Sequence, residues 1–423
     1  MNRSRASYIM VILLFVCYGI AVAAYVWYTS PHNVPENLIG SAADPATFFT
    51  AGQLRDSENL NAMRNWIFFM SGPWEWLIYI ILLLTGLARS WSNSLERFNL
   101  PIYVRFPVYV LQVSAVSFVL YFPLRVMSYN LSKAYGITTQ SALGWLRDKL
   151  IAFGISYLTL LAVSAVAFWL ISRGGRWWLK LWLISIPFTL FMMVVQPVVI
   201  DPIYNKFETL SDPLLEQQIL ELAAKAHIPA ERVYEVNMSE KTNAMNAYVN
   251  GLGTSLRIVL WDTTLQRLDK QEVMLIMAHE MAHYVKHHLE WSAFGAIVST
   301  FIMLAIGSVC YRVIVRRWGA GWGIRSLSDM TALPLILLLV SILTFVSLPI
   351  TNAVSRQAES AADNYAMELI GSAEGSVTMH QKMAVAVLSD VNPPLLVKWF
   401  RDSHPTDRER IINAEKFAQR REP

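Results

Sequence analysis

Cysteine is nearly absent from this chain, with only Cys17 and Cys310 in 423 residues. Both lie inside apolar runs, which excludes a disulfide framework and a cysteine-built zinc finger. Charge is scarce too. Asp, Glu, Lys and Arg make up 16% of the sequence, against about 25% in an ordinary soluble domain, and that argues against a plain cytosolic enzyme. The net charge of +4 is small and no basic block occurs, so nucleic acid is not an expected partner. No internal repeat or low-complexity tract stands out either.

What is present is apolar. Hydrophobic residues make up 54% of the chain, the mean hydropathy is +0.37, and 15 Trp with 17 Tyr suit a lipid–water boundary. A spanning helix needs about 20 mostly apolar residues. Seven runs qualify: Ile9–Tyr28, Pro73–Ala88, Phe106–Leu124, Leu150–Ile171, Trp178–Ile200, Trp291–Val315 and Leu333–Ile350. Buried helices of a large soluble protein would look similar. However, Trp or Tyr at many run ends, with Arg or Lys just outside, predicts a mainly α, polytopic protein with the lipid bilayer as its surroundings. Arg3, Arg5 and Ala21-Val22-Ala23 would suit a cleaved signal peptide. The run stays apolar through Val26 and Trp27, which favours a retained helix.

This divides the chain into an N-terminal membrane region of about five helices (1–200), a polar insert (201–290), two further membrane helices (291–350) and a polar helical C-terminal region (351–423). Asn33–Arg64, with Glu36, Asp44, Arg55, Asp56 and Glu58, reads as an aqueous loop or short helices. In the insert, Leu214, Leu215, Ile219, Leu220 and Leu222 recur at helical spacing over Asp212–His227. Val233–Val236, Ala247–Val249 and Arg257–Trp261 read as short strands, with Asn250-Gly251 as a turn. Asp269 and Glu272 form a capping box that opens a helix running to His288. Beyond Thr351, Ser355–Leu369 and Val377–Val387 read as helices.

That capped helix carries His279-Glu280-Met281-Ala282-His283. Histidines four apart share one helix face, so both imidazoles can reach one ion, with Glu280 beside them. Two neutral nitrogens on Zn²⁺ and a carboxylate that takes a proton from water make the pattern of a zinc hydrolase. A chance match, or a surface helix with its charges in solvent, is the bland alternative. A catalytic zinc needs a third protein ligand. Glu359, about 75 residues on, is the best candidate. Asp363, one turn later, could fix the tautomer of a ligand imidazole. Acid pairs at this spacing are also common on solvated faces.

Taken together, these blocks resemble peptidase family M48, in particular its integral-membrane CAAX prenyl proteases. Pro202–Phe207, Asn246-Ala247-Tyr248 with Gly251, Ile258–Leu260 with Asp262-Thr263, His279–His283, Ser355–Asp363 and His404-Pro405 with Arg410-Ile411 follow the family order. Ala282 and Ser360 depart from it: many relatives have Gly at the first position and an aromatic or His at the second. The resemblance implies about seven helices enclosing a chamber, with a small α/β zincin-like catalytic domain. It implies one Zn²⁺ per chain on His279, His283 and Glu359, with Glu280 as general base, and a peptide substrate that carries a lipid in the eukaryotic case. His404 could stabilise the oxyanion and Arg410 could support the site, although His-Pro also suits a plain turn. Asn246 and Ala247 could hold substrate as an added strand, or form an ordinary hairpin. His287 and His288 read as structural, because a fourth ligand would close the site. Glu75 suits either a chamber wall or a headgroup position.

Three rivals remain. A site-2-type intramembrane protease would carry its motif within a membrane helix. An HtpX-like quality-control protease would have fewer spans, and a transporter or scaffold would need no intact motif. The resemblance also implies zinc on the cytosolic side. The basic loops Arg89–Arg105, Arg173–Arg176 and Arg316–Arg325, with Arg3 and Arg5, are read as not sharing one side in that orientation. Together with the basic residues of Arg125–Lys149, they give no clear orientation.

Overall fold

A computed structural model describes residues 2–29, 34–250 and 256–420. Seven helices in it are long and apolar enough to cross a bilayer. They lie within α1 (Asn2–Thr29), α2 (Ala51–Leu84), α4 (Ile102–Ala134), α5 (Ala142–Ser172), α6 (Trp177–Val195), α11 (His288–Trp318) and α12 (Leu333–Ile370). Between α2 and α4 runs the amphipathic α3 (Leu87–Arg97). A five-residue π-turn at Pro197 carries α6 into α7 (Asp201–Tyr204).

Several helices are longer than their apolar runs. Residues 51–64, expected to be loop or short helices, are the opening turns of α2. Thr50 and Gln53 close a capping box there, and Ser57, Asn61 and Asn65 are buried. Two of them are satisfied by the C-terminal region: Ser57 Oγ donates to the Ser389 carbonyl at 2.8 Å and Asn61 Nδ2 to that of Leu388 at 2.7 Å. Tertiary partners let a polar segment stay helical. Arg125, likewise expected in a loop, lies within α4, and only residues 135–141 separate α4 from α5. The helix expected to reach His288 stops at Val285, because His287 takes a left-handed turn (φ 55°).

The polar domain holds α8 (Pro213–Lys225), α9 (Asp262–Arg267), α10 (Lys270–Val285) and a four-stranded sheet. The strands β1 (Phe207–Thr209), β2 (Val233–Val236), β3 (Ala247–Asn250) and β4 (Arg257–Trp261) are ordered β1-β2-β4-β3. β2 and β4 are parallel, with Val233 opposite Ile258, and both outer strands pair antiparallel. Three strands match the expected runs, while β1 carries no pattern of its own. Gly251 lies outside the described residues. Leu215, Ile219, Ile258, Leu260, Leu275, Met277 and Met281 fill the core between sheet, α8 and α10. The chain ends in α13 (Ser376–Val387), α14 (Leu395–Phe400) and α15 (Asp407–Gln419).

The membrane helices are sparsely packed. Buried residues form 39% of the most apolar stretch of α2, 11% of those of α4 and α5 and 6% of that in α11. The other side chains of those stretches are not buried within the protein. Glu75 lies nine residues before the end of α2, about 14 Å along the helix at 1.5 Å per residue. Its carboxylate accepts from Ser341 Oγ at 2.6 Å and Tyr79 Oη at 3.1 Å. A cavity of about 310 Å³ between α2, α4 and α5 is lined by Ser71, Arg125, Ser128, Ser132 and Lys149.

The two ends of the bundle differ in charge. The N-terminus of α1 and the 85–101, 173–176 and 319–332 connections all lie at the end away from the polar domain. Leu83, Ile171, Trp177, Tyr311, Ile324 and Leu335 pack there into one cluster, and Tyr8 Oη donates to the Leu84 carbonyl at 2.6 Å. The arginines of those loops therefore share one side, contrary to the expectation from sequence. The reason is topological: seven crossings return every second connection to the same end.

Candidate metal centre

α10 presents the two histidines. Its capping box is present in full, with Asp269 and Glu272 each accepting from the other's backbone N–H. Glu272 does more than its position suggested. Fully buried, it also accepts from Thr378 Oγ1 at 2.8 Å and Lys382 Nζ at 2.6 Å, tying α10 to α13. α12 runs unbroken from the seventh span past Ile350 and crosses α10. Ala278 and Ala282 on one helix, and Ala362 and Ala366 on the other, are all buried. Side chains this small let the helices approach closely, which brings Glu359 to the imidazoles. Ala282 is thus well placed in the contact, while Ser360 faces outward.

Three residues converge. Ligand atoms of His279, His283 and Glu359 lie within 4.8 Å of one another. His279 Nε2 is 3.2 Å from His283 Nε2 and 3.1 Å from Glu359 Oε2, and His283 Nε2 is 3.6 Å from Glu359 Oε1. Tetrahedral ligands about 2.1 Å from a zinc ion would be roughly 3.4 Å apart. The donor set has the right size and chemistry for Zn²⁺. Glu359 Oε2 is buried without a hydrogen-bond donor, as expected of an atom that a cation would satisfy.

Electrostatics agree. Burial by itself would push the His279 imidazole down, but the carboxylates of Asp363 and Glu359 outweigh it and raise it to about 10. Burial, with His279 beside it, pushes His283 down to about 4. The pocket thus calls for one positive charge, which a metal ion can supply in place of the proton. Burial raises Glu280 to about 7, and the nearby Glu359 and Asp363 act in the same direction.

Behind the ligands stands a second layer. His279 Nδ1 lies 2.9 Å from Asp363 Oδ1, so an Nδ1–H tautomer leaves Nε2 bare toward the centre. Arg410 donates to both Asp363 oxygens, from Nε at 2.9 Å and from Nη2 at 2.5 Å. His380, buried against this layer and not singled out from the sequence, is pushed down to about 3 by burial and by the charge of Arg410. A lone histidine with no local motif left no signal. His404 Nε2 lies 3.5 Å from Glu359 Oε2. Its loop is held to α12 by Arg356 Nη1, which donates to the Lys398 and Asp402 carbonyls at 2.8 and 2.7 Å. His288 Nδ1 contacts His283 Nδ1 at 2.9 Å, while His287 pairs with Glu290 at the surface.

β3 is an edge strand beside α10. Asn246 is bound by its neighbours, its N–H to Thr264 Oγ1 at 2.9 Å and its carbonyl by Trp261 N at 3.1 Å. The Ala247 N–H is covered by the Asn246 side chain at 2.9 Å. α10 packs into the core of the sheet domain, with Leu275, Met277 and Met281 buried there.

Comparison with known proteins gives the same picture in two halves. Residues 209–418 match the model of peptidase family M48, and residues 29–206 match the CAAX prenyl protease N-terminal model of five membrane helices. The "Uncharacterized metalloprotease YhfN" of Bacillus subtilis is 41% identical over 96% of this chain and 95% of its own. A CAAX prenyl protease 1 homolog of Dictyostelium discoideum is 28% identical over 68% of this chain and 67% of its own. The crystal structure of S. mikatae Ste24p superposes with a TM-score of 0.73 at 19% identity. It covers 95% of this chain and 98% of its own, which shows a shared fold.

Proposed function

The chain belongs to peptidase family M48 and is a multi-pass membrane zinc metallopeptidase, and from that premise we propose that it cleaves peptides at one Zn²⁺ held by His279, His283 and Glu359, with Glu280 as general base. The observation that carries this reading is the meeting of two imidazoles and a buried carboxylate on facing helices. Bound there, Zn²⁺ would polarise the scissile carbonyl and acidify a water. Glu280 accepts the proton as water adds to the carbonyl carbon, then passes it to the amine as the C–N bond breaks. Asp363 keeps the His279 Nδ1 proton in place, and Arg410 holds Asp363. His404, whose Nε2 lies 3.5 Å from Glu359 Oε2, would donate an imidazole N–H to the oxyanion. Substrate would lie along β3 as an added strand, displacing the Asn246 side chain from the Ala247 N–H.

The finer reading is cleavage of lipid-bearing peptides in the manner of a CAAX protease. It is supported by the relatives of that name. Glu280→Gln tests the mechanism: the purified variant should keep one zinc per chain and lose cleavage of a quenched peptide, whereas His279→Ala should lose the metal. Full turnover by Glu280→Gln would refute the assignment. Matched peptides with and without a lipid group test the substrate class.

A further inference from the structure

The cavity of about 310 Å³ between α2, α4 and α5 takes no part in the metal chemistry, yet two basic side chains line it from membrane-spanning helices. Arg125 lies nine residues before the end of α4, and Lys149 seven residues after the start of α5. Those are about 14 and 10 Å along the helices. Ionisable groups within spans are costly, and they mark binding sites or pathways where they face a cavity. Among the described residues, no carboxylate forms an ion pair with either cation. Asp148, beside Lys149 in sequence, instead accepts from Gln140 Nε2 and Lys241 Nζ, each at 2.8 Å. Glu75, one turn beyond Ser71 on α2, is engaged by Ser341 and Tyr79.

Rings hold the two cations in place. Arg125 lies over Phe118 and Tyr121 at 5.0 and 5.2 Å, and Lys149 over Trp145 at 5.8 Å. Ser128 and Ser132 add hydroxyls, and no acidic residue lines the cavity. Two positive charges and hydroxyl donors without an acid are the chemistry of an anion site. Its wall is also joined to the edge strand β3. Thr138, which lines the cavity, donates from Oγ1 to the Lys241 carbonyl at 2.7 Å. Asn243 donates from its N–H to the Ile137 carbonyl at 2.9 Å and from Nδ2 to that of Gly136 at 2.6 Å. Residues 241–246 then lead directly into β3. A strand added antiparallel to β3 carries its C-terminal end past Asn246 toward this segment. A parallel strand would bring an ammonium group toward two cations, so charge selects the antiparallel direction. From Lys241 to Ala247 is at most about 20 Å of extended chain, which a short peptide spans.

We propose that Arg125 and Lys149 bind the free C-terminal carboxylate of the substrate, on the leaving-group side of the scissile bond, so that cleavage falls close to a chain end. This rests on the reading of β3 as the substrate edge and adds a specificity site to it. A C-terminal amide, or a chain that continues, leaves both cations without an anion. The selection is made by the chain end and acts whether or not the peptide carries a lipid.

The test uses the full zinc-loaded chain in lipid nanodiscs, with Glu280→Gln so that a peptide is held and not cut. A short peptide with a free C-terminus and the same peptide as its C-terminal amide are titrated by calorimetry. The carboxylate form should bind about tenfold tighter or more, as expected for a hydrogen bond to a charged group. With Arg125→Gln and Lys149→Gln together, the two affinities should become equal, while Arg125→Lys should keep most of the difference. Equal affinities with Arg125 and Lys149 in place, or binding of neither peptide, overturn the proposal. So does a difference that survives the double substitution, because a purely structural role would weaken both peptides alike. If the peptides bind equally and the double substitution instead abolishes binding of phosphatidylglycerol, the cavity holds a lipid phosphate and the proposal is likewise overturned. The titration reads binding and not turnover. Loss of cleavage by the unsubstituted enzyme with the carboxylate preference intact would refute the catalytic reading alone, and normal cleavage with no preference would refute this proposal alone.

Discussion

Asp363→Asn separates the two tasks of one carboxylate. Asp363 accepts from His279 on one side and from two Arg410 nitrogens on the other, and its side chain and that of Arg410 are 10% and 12% exposed. The amide can still accept one N–H, but its NH₂ then faces a guanidinium, and the buried Arg410 loses the one carboxylate bonded to it directly. Breaking a buried pair from one side costs about 3–5 kcal/mol. Loss of a partner behind a metal-bound histidine costs about 10–100-fold in metal affinity, which is roughly 1.4–2.7 kcal/mol. Adding Arg410→Met removes the stranded charge, so the double variant should regain part of the stability. It should not regain the affinity, because His279 still lacks its carboxylate. Thermal melts in detergent read the first quantity, and zinc titration against a competing chelator reads the second. Unchanged zinc affinity in Asp363→Asn would show that the carboxylate serves only the ion pair. No recovery in the double variant would show that the stranded Arg410 is not what destabilises the single one.

His404→Ala should lower kcat about 100-fold, the usual loss for one oxyanion donor, with zinc content intact and KM little changed. Equal turnover removes His404 from the mechanism. Asp390, in the loop after α13, is pushed up to about 7 by burial, with Asp402 nearby acting the same way. Its folded value exceeds the ordinary carboxylate value of about 3.9, so the folded chain keeps a proton that the unfolded chain has released. The resulting stabilisation is complete below about pH 4 and is lost as pH rises through 7. Asp390→Asn should therefore raise the melting midpoint at pH 8 more than at pH 5, by up to about 4 kcal/mol of stability. An identical pH dependence in both proteins would refute the burial argument.

Legibility in the sequence tracked how local each cause was. The capping box at Asp269, the pairing of His279 with His283 and the strands at 233–236 and 257–261 depend on neighbours within a few residues, and they stand where the pattern put them. Misreadings came where distant contacts dominate. Residues 51–64 are too polar to announce a helix, and become one because Ser389 and Leu388 accept their hydrogen bonds. His380 and the second role of Glu272 have no local pattern, since their partners lie on other helices.

From the sequence alone came the seven crossings, the zinc-type motif and the family, because apolar length and helical period are properties of contiguous chain. Only the tertiary structure decided that Glu359 meets the imidazoles, since that depends on how closely two helices can cross, and the buried alanines set that distance. The gathering of the scattered arginines at one end needs no tertiary contact, because seven crossings return every second connection to the same side of the bundle.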